Sequence, residues 1–176
     1  MLAGIGGALG ALVTIGASEM SQNDMVKNYA LEDPALQVKK RFLSSLESDL
    51  SLTNIKPIAE PSKSDELSEL AKAFGKSTII DFKTTRWFLT YFPTSWSRYR
   101  ISYTATARLI QLEDTKIMWQ GNCEFIGQDP ETSPTWEELT ANSGTILKAK
   151  MIEAANACAG DLLNQFFGKS EIGQIK

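Results

Sequence analysis

The sequence predicts an α+β domain: a mainly antiparallel sheet of about four strands, with three helices packed on one face. Three observations carry this. From Ser77 to Gly127 the chain reads as three long β-type runs, separated by the turn-forming stretches PTSWS and DT. Three further stretches, 34–50, 64–75 and 143–167, place apolar residues at helical spacing. The second β-type run alternates cleanly, with Tyr99, Ile101, Tyr103, Ala105, Ala107 and Leu109 on one face. Arg100, Ser102, Thr104, Thr106 and Arg108 share the other, so one face is buried and one meets water or a partner.

The totals bound the class. A chain of 176 residues builds one domain with a sizeable core. It is 43% hydrophobic and 22% charged, with a formal net charge of −3. An acidic balance argues against a nucleic-acid partner. There is no histidine, which removes the usual general base near neutral pH and excludes Ser-His-Asp and Cys-His catalysis. Two cysteines cannot build a tetrathiolate zinc site, and they are 35 positions apart. The expectation is a protein that is not an enzyme, with no metal and no cofactor.

The first segment, 1–32, opens on MLAGIGGALGALVTIGAS, which has no charged side chain and five glycines. Gly6 and Gly10 match a small-xxx-small helix contact. The stretch 1–18 reads as a leader, as a membrane association, or as a segment packed on a partner or on the domain. Residues 19–31 are polar and helix-compatible. The domain proper spans 33–168. Asp33-Pro34 is a helix start, an N-cap followed by proline. Leu36, Leu43, Leu46 and Leu50 form the stripe of the following helix, broadened by Phe42. Residues 52–59 are a short strand, demoted to an edge by Pro57. From 64 to 75 a helix capped by Ser64 or Asp65 buries Leu67, Leu70, Ala71 and Phe74 and stops at Gly75. Strand, helix and strand over 52–83 would make a right-handed crossover.

In the meander, the first run changes phase, Ile80 and Phe82 against Trp87, Leu89 and Tyr91, which calls for a bulge near Thr84–Arg86. In the third run Ile117, Trp119, Gly121, Cys123 and Phe125 share the inner face. Small Ala105, Ala107 and Gly121 let a helix come close. After the polar loop 128–135, a short turn at Trp136–Leu139 precedes a helix from Ser143 to Phe167. Its stripe is Leu147, Met151, Ala154, Cys158, Leu162 and Phe166, broadened by Ala155, Ala157 and Ala159. Residues 169–176 are a tail.

Two constellations stand out. Cys123 lies on the inner phase of the last strand and Cys158 on the inner stripe of the last helix, so the sulfurs are placed to meet. A bond would close a long loop, contribute roughly 3 kcal/mol and imply an oxidising compartment. The plainer alternative is two buried thiols. Around the first hairpin, Arg86, Trp87, Tyr91, Trp96, Arg98 and Arg100 interleave bases and aromatics, the residue types that anchor protein interfaces. The plainer alternative there is core plus an ordinary hairpin tip. Paired carboxylates such as Asp65/Glu66 and Glu137/Glu138 sit at helix starts, where the helix dipole accounts for them.

The stretch WFLTYFP…W…YRISYTATARLI…WQGNC, with the later ACAGDLL helix, resembles uncharacterised bacterial cell-envelope lipoproteins over roughly Asp33 to Phe167. The resemblance implies a secreted α/β domain, often with a strand-to-helix cysteine pair, which suits Cys123 and Cys158. It departs at the front, where there is no lipobox cysteine: either the start shown is not the natural one or the protein is not lipid-anchored. The expected role is a non-enzymatic interaction or assembly protein with protein partners in the envelope, periplasmic or outer-membrane-associated. It would serve as an accessory subunit of a larger membrane-associated complex such as a secretion system. The alternative is a small-ligand or lipid-binding periplasmic module using a groove between helices and sheet. A histidine-free hydrolase would need two carboxylates converging in a cleft.

Overall fold

The long β-type stretch folds as an antiparallel meander. The computed structural model describes residues 2–4, 22–50, 55–58, 62 and 64–168. Its strands are β1 (Leu2–Gly4), β2 (Thr78–Phe92), β3 (Ser95–Gln111) and β4 (Lys116–Ile126), and its helices are α1 (Gln22–Tyr29), α2 (Pro34–Leu50), α3 (Leu67–Phe74) and α4 (Trp136–Phe166). The sheet order is β1-β2-β3-β4, with β1 parallel to β2 and the other pairs antiparallel. Gly6 and Gly10 lie outside the described residues, as does the tail. No described helix is long and apolar enough to cross a membrane.

Alternation decides the main core. Ile80, Phe82, Trp87, Leu89, Ile101, Tyr103, Ala105, Ala107 and Cys123 point to one side, against Val38, Phe42 and Leu46 of α2 and Leu147, Ala154, Cys158 and Leu162 of α4. Each large side chain buried there contributes about 1.5–3 kcal/mol. The phase change in β2 is a register shift between Thr84 and Arg86. It leaves the Thr84 side chain inside, where it donates to Asp33 and lies 3.2 Å from the Tyr103 hydroxyl. Asp33 also accepts from the Ala35 N–H at 2.9 Å, so one carboxylate caps α2 and ties it to the sheet.

The structure corrects several expectations. Among the described residues four helices form, and they do not share one face. α1, α2 and α4 cover the Ile80–Phe82 side. α3 packs Leu70 on Ile79, Ile110 and Leu112, whose side chains emerge on the opposite face. Of the expected strand at 52–59, residues 55–58 make only an isolated bridge at Pro57, which lacks the N–H a ladder needs. Residues 51–54 and 59 lie outside the described residues. The strand beside β2 is β1 instead, so no crossover is built from 55–58. α3 begins only after Glu66, because Asp65 is drawn to Lys83. Leu36 is not part of the α2 stripe; it is 52% exposed. A register shift between Leu109 and Ile110 takes Ile117 off the inner face. Ala157 is exposed.

α4 is two helical pieces. Asn142, Ser143 and Gly144 are all left-handed, with φ of 50°, 57° and 72°. Gly144 is needed there twice over: its φ suits glycine, and a Cβ would stand 2.9 Å from the Tyr29 ring of α1. The first piece opens with a capping box between Thr135 and Glu138.

Candidate functional site

The β2–β3 hairpin turns through Pro93-Thr94. Proline holds φ negative, so the tight left-handed hairpin turns are closed to it. The strands compensate by slipping: Tyr91 pairs with Tyr99 and Phe92 with Ser95, which leaves Trp96, Ser97 and Arg98 without partners across the hairpin. That irregularity pushes Trp96 out, 70% exposed, with its indole stacked on the Tyr91 ring at 4.9 Å and 29°. Stacking gives the exposed indole one orientation at small entropic cost.

On the face away from α2 and α4, two arginines lie over aromatic rings. Arg86 sits 5.1 Å from the centre of Phe88 and Arg100 sits 5.0 Å from that of Phe92. The Arg100 Nε also donates to the Thr90 hydroxyl at 3.3 Å. Among the described residues neither guanidinium meets a carboxylate. In register with Phe88 and Arg86 come Ser102 and Thr104, whose buried hydroxyls have no hydrogen-bond partner among the described residues. An unmet buried hydroxyl costs about 1–3 kcal/mol.

The structure therefore divides the six expected interface residues. Arg86 and Arg100 lie on the outer face with Phe88 and Phe92, whereas Tyr91, in phase with Leu89 and paired with Tyr99, lies on the helix side near the hairpin tip with Trp96 stacked on it. Trp87 is core, 1% exposed, because the bulge after Thr84 returns it to the inner side. Arg98 turns toward the start of α4, donating to the Ser133 carbonyl at 2.8 Å and to Glu138 at 3.3 Å. It latches helix to hairpin, assisted by the Tyr99 N–H on the Pro134 carbonyl at 2.9 Å. Ser102 and Thr104 drew no notice as site residues in the sequence, since alternating polar residues on an outer strand face normally meet water.

The cysteines are joined: Cys123 of β4 and Cys158 of α4 form a disulfide with Cα atoms 5.3 Å apart. Both are buried at the centre of the main core. Beneath α3, Arg108 makes a buried pair with Asp81 and donates to the Asp65 carbonyl. Burial raises the Asp81 carboxyl above its ordinary value despite Arg108, and the Asp81 carboxylate holds the Arg108 guanidinium above its own. Lys83, bonded to the Asp65 carboxylate, pulls that group below its ordinary value. These groups hold the start of α3 to the sheet. No cluster of three metal-ligating side chains occurs among the described residues.

The geometry defines an α+β domain with a disulfide-locked helix and a rigid aromatic-basic hairpin. No protein-family model matches the chain, and no curated protein matches it. Solved structures similar to it include the hypothetical protein CT253 of Chlamydia trachomatis, at 11% identity over 76% of this chain and 84% of that one, with a TM-score of 0.45. Another is the lipoprotein GNA1162 of Neisseria meningitidis, at 18% identity over 64% of this chain and 69% of that one, with a TM-score of 0.31. A third, from Caulobacter crescentus and described as a lipoprotein, has 8% identity over 96% of this chain and 92% of that one, with a TM-score of 0.43. Scores this low settle neither fold nor function, and the functional reading rests on the chain's own geometry.

Proposed function

We propose that this chain is a non-enzymatic module of the bacterial cell envelope, working on its periplasmic side, that docks a protein partner through the β2–β3 hairpin. The exposed, stacked Trp96 carries the reading. An indole held rigid at the molecular surface has the character of an interface anchor, and it loses little freedom on binding. Arg86 and Arg100 lie on the opposite face of the same hairpin and meet no carboxylate among the described residues, so a partner that grips the hairpin offers an apolar surface to Trp96 and a carboxylate to the arginines. The buried disulfide supports the compartment, because such bonds persist in oxidising surroundings. The accessory-subunit role in a membrane-associated assembly belongs to the same proposal.

The test is native co-purification from gently solubilised membranes, comparing the wild-type chain with Trp96→Ala combined with Arg86→Ala. Arg98 is left intact because it holds α4. The expected result is loss of the wild-type partner bands with a melting midpoint shifted by no more than about 2 °C. Identical partner bands from both baits would overturn the docking face.

A further inference from the structure

Ser102 and Thr104 sit two positions apart on β3, on the sheet face away from α2 and α4. Ser102 is 2% exposed. Neither hydroxyl has a hydrogen-bond partner among the described residues. Elsewhere the same face satisfies its hydroxyls. One step along β3, Thr106 donates to the Asn122 amide oxygen at 2.8 Å and lies 3.3 Å from the Thr85 hydroxyl. Nearer the hairpin tip, the Thr90 hydroxyl accepts from Arg100. The unmet pair is therefore a local feature, not a general property of this face. Two buried donors left unmet destabilise a fold, and a ligand that meets them recovers the loss.

The side chains around the pair define the ligand's chemistry. Arg86 is in register with Thr104, and Phe88 with Ser102. The Arg86 guanidinium lies 5.1 Å from the centre of the Phe88 ring, so it leans along β2 toward the level of Ser102. Arg86 is exposed, and it can swing off Phe88 at small cost when a ligand arrives. A guanidinium only donates and each hydroxyl has a proton to donate, so the patch is rich in donors and short of acceptors. Two carboxylates belong to the neighbouring strand and the loop after it. Glu124 of β4 is in register with Thr104, yet it is exposed and accepts from neither hydroxyl. Asp129 accepts from the Glu131 N–H at 2.9 Å and the Thr132 hydroxyl at 2.7 Å. Both keep their charge, so net charge selects no ligand here; the unmet donors do. Arg100, the next side chain along this face of β3, is turned to Phe92 and Thr90. One guanidinium remains for the ligand, which suits a planar group with a single negative charge rather than a doubly charged phosphate.

We propose that the outer face of the β2–β3 hairpin seats a carboxylate, which accepts from the Ser102 and Thr104 hydroxyls and pairs with the Arg86 guanidinium. The site rests on the docking reading above in one respect: the carboxylate is taken from the protein partner. It adds the place where that group lands, on two buried hydroxyls beside the arginine. The unbound chain carries the cost of the site as lost stability, a trade common at binding surfaces.

The experiment compares the whole chain with Ser102→Ala combined with Thr104→Val, which removes both hydroxyls and little else. Thermal unfolding without ligand comes first. The variant should melt at least about 2 °C higher, because two unmet donors are gone. A lower midpoint would overturn the proposal by showing that the hydroxyls are bonded in the fold. Titration with sodium acetate, against sodium chloride at equal ionic strength, follows the Arg86 Nε–H NMR signal. Acetate should give a saturable shift that chloride does not, and the variant should bind acetate at least about tenfold more weakly. No saturable shift, an equal response to chloride, or undiminished binding by the variant would each overturn the site. The variant then serves as bait in the co-purification described above. Loss of partner bands that the wild type retains assigns the carboxylate to the partner. Unchanged bands alongside acetate binding overturn the partner as its source and assign the site to a free carboxylic acid, while the docking reading is judged by Trp96→Ala alone.

Discussion

Gly121 stands where the C-terminal helix packs closely on the sheet. A Cβ there would lie 2.9 Å from Leu162 and 2.6 Å from the Trp119 ring. Trp119 in turn packs edge-on against Phe166 at 4.9 Å, so the obstacle cannot swing freely. Gly121→Ala should therefore cost about 1–3 kcal/mol, the usual range for overpacking a filled core. Urea unfolding would read it directly, and an unchanged midpoint would show that α4 stands farther off than the contacts imply. This position was legible in the sequence, because Ala105, Ala107 and Gly121 are the small residues on an otherwise bulky inner phase. Leu36 was not legible in the same way. It shares a helical spacing with Leu43, yet Ala35, Val38, Phe42 and Leu46 make the face that α2 buries. A leucine on a stripe's margin is placed by the neighbour it meets, and α2 meets α4 along a different line.

At the scale of elements, α3 shows what periodicity leaves open. Its apolar spacing correctly marks a buried face, with Leu70 at the centre. Spacing alone says nothing about which side of the sheet receives that face. The opposite side offered Ile79, Ile110 and Leu112, together with Arg108 and Lys83 to hold the residues before the helix. The Lys83–Asp65 pair is half-exposed and contributes at most about 1 kcal/mol. Its pH dependence has a definite sign. The Asp65 carboxyl is held below its ordinary 3.8, chiefly by the hydrogen bond from Lys83. Its contribution is present above that value and disappears as pH falls through the lowered one. Asp81 has the opposite sign, since burial raises it and acid favours its protonated folded form. Lys83→Met should thus lower the melting midpoint near pH 6 and lower it less near pH 2. A difference of equal size at both values would remove Asp65 from the account. The edge of β4 is another tertiary matter: the Gln165 amide donates to the Asn122 carbonyl at 2.8 Å and accepts from its N–H at 3.3 Å. A side chain from α4 thereby occupies a site on the edge where another strand could pair.

For the whole molecule, the disulfide decides how sheet and helix stay together. It spans 35 positions and joins the last strand to the longest helix at the centre of the main core. Reducing it, or introducing Cys123→Ser with Cys158→Ala, should lower stability by roughly 3 kcal/mol, in line with the loss of loop constraint in the unfolded chain. Thiol titration of the unreduced protein in denaturant should find no reactive thiol, and two would remove the bond and the compartment argument together. By itself the sequence determined the strand phases except at Ile117, the bulge after Thr84, the Asp33-Pro34 helix start, the Gly75 stop and the inward placement of both cysteines. These follow from sterics and from periods of two and 3.6 residues, which act within a few positions of the chain. Only the tertiary structure decided the face taken by α3, the strand that pairs with β2, the turn of Arg98 toward Glu138 and the burial of the Ser102 and Thr104 hydroxyls. Each of those is a choice between packings that satisfy the same local pattern, and the balance is struck by contacts between residues far apart in sequence.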